Sequence, residues 1–306
     1  MTTTPFFSTS SSLVFSSCLL LAQLSLTLCC TFTITNNCQH PIWPGTLAGA
    51  GTAQLPSTGF RLEPGRSTRL PAPPGWSGRI WARTGCTFGP DGAGKCETGD
   101  CGGRMECGGA GALPPATLFE VTLGEGTNKD YYDISLVDGY NLPLIAAPRS
   151  TQGGICNATG CASNLNLGCP KELQMEGGGN GVVGCRSACE VFGLDEYCCS
   201  GEYGNPGSCK PSGYSGFFKR ACPSAYSYAF DDATSTFTCN AFDYNLVFCP
   251  PPINSLRKSN GLTDVQPNNG NNNGKALYDL KNLVWSTKLL IKFIEQLRNR
   301  FELENE

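Results

Sequence analysis

Residues 92–107 read GAGKCETGDCGGRMEC, with three cysteines and five glycines in sixteen positions and no histidine or aromatic ring. Three structures suit such a stretch: a metal knuckle, a phosphate-cradling loop or a disulfide-stapled turn. A zinc knuckle needs free thiolates. A phosphate loop needs a following helix and usually a Lys-Ser/Thr pair, and neither is present. The choice between knuckle and staple depends on the compartment in which the chain matures.

The cysteine count points to that compartment. Nineteen cysteines in 306 residues are hard to keep reduced in a cytosol. The run LVFSSCLLLAQLSLTL, residues 13–28, has the length of a secretory leader and is short for a membrane span, although no Lys or Arg precedes it. Cys18, Cys29 and Cys30 lie in or beside this run, and the other sixteen lie between Cys38 and Cys249. Cleavage after Cys30 leaves an even set, so residues 1–30 are expected to be a signal peptide and the mature chain to begin near Thr31. Sixteen cysteines in an exported chain imply eight disulfides, and the stretch 92–107 reads as a stapled turn. Spacing alone leaves about two million possible pairings open.

Composition narrows the fold. With 38 glycines, 21 prolines and 15% charged residues, the chain suits many short strands and tight turns. Residues 31–250 carry 14 basic and 19 acidic side chains, with no basic stripe to neutralise phosphates, so no nucleic-acid partner is expected. Several segments alternate with period two. In RIWART, Arg79, Trp81 and Arg83 share a face opposite Ile80 and Ala82. In TLFEVTL, Phe119, Val121 and Leu123 oppose Leu118, Glu120 and Thr122. In YYDISLV, Tyr132, Ile134 and Leu136 oppose Asp133 and Ser135. A turn follows at Asp138-Gly139. STFTCN and NLVFCP read as the last strands. The segment GCRSACEVFG reads as a short helix stopped by Gly193. A mainly β chain of antiparallel strands in a sandwich is the expectation. Residues 251–274 have linker composition, and 275–306 form an amphipathic helical pattern. The tail is expected to be dispensable. A lipid-anchor signal does not fit its composition, and membrane association is not favoured.

The same opening stretch, written GxGxCxTGDCxxxxxC, resembles the signature of the thaumatin-like family, the group-five pathogenesis-related proteins of plants. Matching stretches are TFTITNNC, RIWARTGC, PPATLFEVTL, YYDISLVDGYNLP, GCPKEL, EYCCS, YSGFFKRACPSAYSYAFDD and STFTC. The resemblance covers residues 31–250. It implies a flattened antiparallel β-sandwich from residues 31–82, 115–155 and 223–250, a small loop domain at 83–114, and a disulfide-rich domain with a short helix at 156–222. It also implies the pairs Cys38–Cys249, Cys86–Cys96, Cys101–Cys107, Cys156–Cys239, Cys161–Cys222, Cys169–Cys185, Cys189–Cys198 and Cys199–Cys209.

Few residues are left for chemistry. His40, beside Pro41, is the only histidine, so a Ser-His-Asp triad or a histidine-rich metal site lacks material. Bridged cysteines leave no thiolate nucleophile. No metal and no cofactor are expected. The resemblance implies a net negative cleft lined by Arg79, Glu120, Asp133, Asp138 and Asp232, with Asp231 as the competing fifth member. Trp81 could stack on a sugar, though packing is the commoner role of tryptophan, and Phe217 and Phe218 read as packing. Asn157, in NAT, is the one N-glycosylation sequon of the mature chain.

The implied function is that of a secreted, monomeric plant defence protein of the apoplast or cell wall. It would be antifungal and bind fungal cell-wall β-glucan, chiefly β-1,3-linked, or another carbohydrate. Two alternatives are a weak endo-β-1,3-glucanase, with Glu120 as acid and Asp133 as base or nucleophile, and an inhibitor of a foreign amylase or protease. A glycosidase needs two carboxyls about 5–5.5 Å apart for retention or roughly 6.5–9.5 Å apart for inversion.

Overall fold

The computed structural model describes residues 30–125, 128–150, 156–179 and 181–251. Apart from Cys30, the expected signal peptide lies outside the described residues, as do the expected tail and nearly all of the linker. The chain enters with β1 (Cys30–Asn36), β2 (Trp43–Ala48), β3 (Ser67–Ala72) and β4 (Ser77–Arg83). A two-stranded ribbon of β5 (Thr87–Phe88) and β6 (Gly94–Lys95) comes next. It is followed by β7 (Leu118–Thr122), β8 (Asp130–Ser135), β9 (Leu144–Ser150) and β10 (Thr159–Cys161). A second ribbon pairs β11 (Gln174–Glu176) with β12 (Val182–Cys185), and the last strands are β13 (Phe237–Cys239) and β14 (Ala241–Phe248). Cys30 starts β1 with its side chain buried, so the strand begins one residue ahead of Thr31.

Two five-stranded sheets form a sandwich, one ordered β10-β9-β14-β1-β3 and the other β13-β8-β7-β4-β2. Alternation is what builds them. β1 turns Phe32 and Ile34 inward, β7 turns Phe119 and Val121, and β8 turns Tyr132 and Ile134. Their rings interlock with Trp76 and Tyr244 at centroid distances of 5.3–5.9 Å. Each such side chain, once buried, contributes about 1.5–3 kcal/mol. A polar tie crosses the same core, where the Tyr244 hydroxyl of β14 donates to Asp130 Oδ2 of β8 at 2.7 Å.

One pairing departs from the antiparallel expectation. β1 and β14 run parallel, with Thr31 beside Asp243 and Asn36 beside Phe248. Parallel neighbours need a long connection, and here the connection is nearly the whole domain. Cys38–Cys249 closes it just past the end of the pair.

The opening stretch folds as a staple over β4. Cys101–Cys107 lies against Trp81, which is fully buried and donates from Nε1 to Gly99 O at 2.8 Å. Gly99 takes φ +67, and a Cβ there would sit 3.2 Å from the indole, so glycine lets the loop close on the ring. Asp100 accepts from Cys96 N and Gly103 N, which cross-braces the turn. Arg83 is also fully buried, and its guanidinium donates to the carbonyls of Trp43, Pro44, Arg104 and Met105. The even face of β4 packs in the core and the odd face beneath the staple, so only Arg79 of the Arg79, Trp81, Arg83 row faces outward.

The remaining bridges are Cys86–Cys96, Cys156–Cys239, Cys161–Cys222, Cys169–Cys185, Cys189–Cys198 and Cys199–Cys209. Five of these hold the region that carries the helices α1 (Ala188–Phe192), α2 (Asp195–Cys198) and α3 (Gly213–Ala221). Ser187 caps α1, and Gly193, at φ +60, ends it. A last single turn, α4 (Asp232–Ser235), precedes β13.

Candidate functional site

The outer face of the second sheet brings three charged side chains into one row. Register places Arg79 of β4 opposite Glu120 of β7, and Glu120 opposite Asp133 of β8. Directly opposed residues have Cβ atoms about 4.5–5.5 Å apart, so each reaches the next. Arg79 Nε and Glu120 Oε1 form an ion pair at 2.7 Å, with both side chains partly open to solvent.

Asp133 has a different environment. Its Oδ1 is buried and finds no hydrogen-bond partner among the described residues. Burial raises its carboxyl well above the ordinary range, Glu120 and Asp232 push it further, and Arg79 opposes them. Asp133 therefore holds its proton more tightly than an ordinary aspartate. The row sets one guanidinium and its paired carboxylate beside a buried carboxyl whose charged form is disfavoured.

Geometry separates Asp232 from Asp231. Asp232, at the start of α4, accepts from the Tyr226 hydroxyl at 2.8 Å. Tyr226 in turn feels the charge of Asp133 and hydrogen-bonds Thr236. Asp231 is engaged elsewhere, with Lys219 Nζ at 2.8 Å and with Ser227 N and Oγ at 3.0 Å. Asp232 is the acid that joins Asp133.

Asp138 sits in the turn after β8 and acts on a residue that the sequence reading passed over. Glu190 of α1 has its carboxyl raised to about 7 by desolvation, with Asp138 adding to the shift and Arg186 opposing it. More than a third of Glu190 remains open to solvent, which softens the effect. The only available signal was its place three residues after the N-cap Ser187, which reads as a helix cap rather than a cleft acid. Arg79, Glu120, Asp133 and Asp232 thus form one group, and Asp138 pairs with Glu190 beside it.

The other candidates have structural surroundings. Trp81 is sealed under the staple and cannot stack on a sugar. Phe218 is buried, with Phe217 packed beside it. Asn157 is exposed, and its carbonyl accepts from the Tyr132 hydroxyl at 2.6 Å. No cluster of three or more His, Cys, Asp or Glu suited to a metal occurs among the described residues.

Comparison with known proteins agrees with this architecture. The family model described as the thaumatin family matches residues 36–250. Thaumatin-like protein 1 of Arabidopsis thaliana is 54% identical over 227 residues, covering 72% of this chain and 86% of its own length. Pathogenesis-related thaumatin-like protein 3.5 of Cryptomeria japonica is 53% identical over 220 residues, covering 72% and 89%. Among solved structures, a laminaripentaose-producing β-1,3-glucanase in complex with laminaritetraose superposes with a TM-score of 0.53. It shares 13% identity and covers 73% of this chain and 99% of its own, a likeness of fold.

Proposed function

The chain belongs to the thaumatin family, and from that premise we propose that it is a secreted plant defence protein that binds β-1,3-glucan of fungal walls in the acidic cleft. The observation that carries this reading is the row Arg79–Glu120–Asp133 with Asp232 at its end. Ionised carboxylates accept two hydroxyl protons, a protonated carboxyl both donates and accepts, and a guanidinium donates. Vicinal hydroxyls of a pyranose need that mixture. Eight disulfides in the described residues support passage through an oxidising compartment.

Retention on insoluble β-1,3-glucan tests the reading. Asp133→Asn combined with Asp138→Asn should weaken retention at least about tenfold, the equivalent of 1.4 kcal/mol. Retention equal to wild type would remove the cleft from the interaction.

A second reading, weak hydrolysis, has support in the contrast between the two central carboxyls. Two acids pushed apart in proton affinity are the raw material of glycosidase chemistry. We assign the proton to Asp133, which would donate to the glycosidic oxygen, while Glu120 would act as base or nucleophile. This order reverses the roles expected from sequence. Reducing-sugar release beside glucan pull-down, for wild type and Glu120→Gln, separates the readings. A binder loses retention without ever releasing sugar, whereas an enzyme loses release.

A further inference from the structure

A groove of about 650 Å³ opens away from the acid row, where the start of β2, the foot of the staple and the segments around β10 and β12 converge. That volume lies within the range of small-molecule sites. Thr84 lines it, five residues beyond Arg79 along the course of β4, roughly 17 Å at strand rise. None of Arg79, Glu120, Asp133, Asp138 or Asp232 lines it.

The chemistry of its walls selects a class of ligand. No Lys or Arg lines the groove, so a phosphate or sulfate has no counter-charge. The ionisable side chains are His40 and Glu97. Glu97 already accepts from Gly178 N at 3.0 Å, and His40, exposed on the rim, uses Nδ1 against Pro41 O at 3.0 Å, which leaves Nε2 free to bond. Asn164 is exposed beside it, its Oδ1 capping the turn at Asn166 N. Asn166 donates from Nδ2 to Asn141 O at 3.1 Å. A carbonyl only accepts, so the amide orientation is determined. The Asn166 Oδ1 is then the buried end, and it has no hydrogen-bond partner among the described residues. Val182 and Val183, both partly exposed, supply apolar surface, while the Trp43 indole is buried beneath Arg61 and beside Phe88. The result is neutral donors and acceptors and one hydrogen-bonded carboxylate, Glu97, beside an apolar patch, with one acceptor unsatisfied.

We infer that this groove is a second carbohydrate subsite, taking a neutral oligosaccharide through hydroxyl hydrogen bonds to His40, Asn164 and Asn166, with a ring face against Val182 and Val183. The subsite goes beyond the acidic cleft and does not depend on it. With both sites occupied, one molecule could hold two sugar strands, and a weak second site raises avidity for a polymer without tight binding of its own.

The test is titration of the isotopically labelled full chain with a β-1,3-linked and a β-1,4-linked glucose tetrasaccharide, followed by NMR. Wild type should show saturable shifts, in the millimolar range, at the His40 ring, the Asn164 and Asn166 side-chain amides and the Val183 methyls. His40→Ala with Asn164→Ser, which keeps the capping oxygen, should weaken these shifts about tenfold, while Asp133→Asn should leave them in place. Absence of shifts at these groups with either sugar overturns the inference. So do shifts that survive the His40/Asn164 variant, or that vanish with Asp133→Asn. Failure of the acidic cleft alone would leave the groove shifts intact, so the two proposals fail separately.

Discussion

At the scale of the residue, Asp133 is the most informative position. Its odd-numbered partners and its polar face were legible from the alternation in YYDISLV. Its raised proton affinity was not, because that depends first on the depth to which the sheet buries it and then on Glu120 and Asp232, which chain separation hides. The sign of the stability effect follows. A raised carboxyl keeps a proton in the native state that the unfolded chain has lost, so stability falls as pH rises from the ordinary carboxylate range toward the native value. Glu190 acts in the same direction between 4.5 and about 7. Wild type should therefore melt higher near pH 4 than the remaining charges would give. Asp133→Asn should raise the melting temperature at pH 7 by roughly 2–4 °C per kcal/mol relieved, with the gain shrinking as pH falls. Calorimetry across pH checks this, and a variant gap that widens on acidification would contradict the protonated carboxyl. The different surroundings of Asp231 and Asp232 were equally invisible in sequence, since Asp231 pairs with Lys219, a residue of α3 twelve positions upstream.

At the scale of the element, strands were read well and their covers poorly. Period-two patterns place Phe119, Val121, Tyr132 and Ile134 in the core whatever the topology. The same pattern puts Arg79, Trp81 and Arg83 on one face without saying that a staple from residues 96–107 covers two of them. Cover comes from residues far along the chain, and alternation carries no information about those. The turn between β8 and β9 shows how such pieces are joined. Asn141, buried there, donates from Nδ2 to Ala82 O and Thr98 Oγ1, while its Oδ1 accepts from Thr117 N and Leu142 N. One amide thus connects β4, the staple and the approach to β7. Asn141→Ala should cost about 2–4 kcal/mol, because it leaves several buried backbone groups without partners. Urea denaturation measures it, and a loss under about 0.5 kcal/mol would show that the network is dispensable.

At the scale of the whole molecule, the mainly β class followed from glycine and proline content and short alternating runs, and its particular three-part form from the family resemblance. The parallel contact of β1 with β14 did not, because no local pattern tells a strand which neighbour it will meet some two hundred residues later. Cys38–Cys249 spans 211 residues, and loop-closure entropy assigns such a bridge about 5 kcal/mol. Cys38→Ser with Cys249→Ser should lower the unfolding free energy by up to that amount in denaturant titration, more than loss of Cys101–Cys107, which closes a separation of six. Equal losses for the two would indicate that loop length is not what governs these bridges.

The geometry of that pair also governs how the domain answers tension. β1 and β14 point the same way, so Cys30 and Pro250 leave at opposite ends, and without the bridge a pull between them would drag the two strands past each other in shear. Cys38 hands the force directly to Cys249 after about eight residues of chain that are already extended, roughly 27 Å. Everything from residue 39 to 248, the acid row included, stays out of the path of the pull. Anchored at both ends, the domain would behave as a nearly inextensible link.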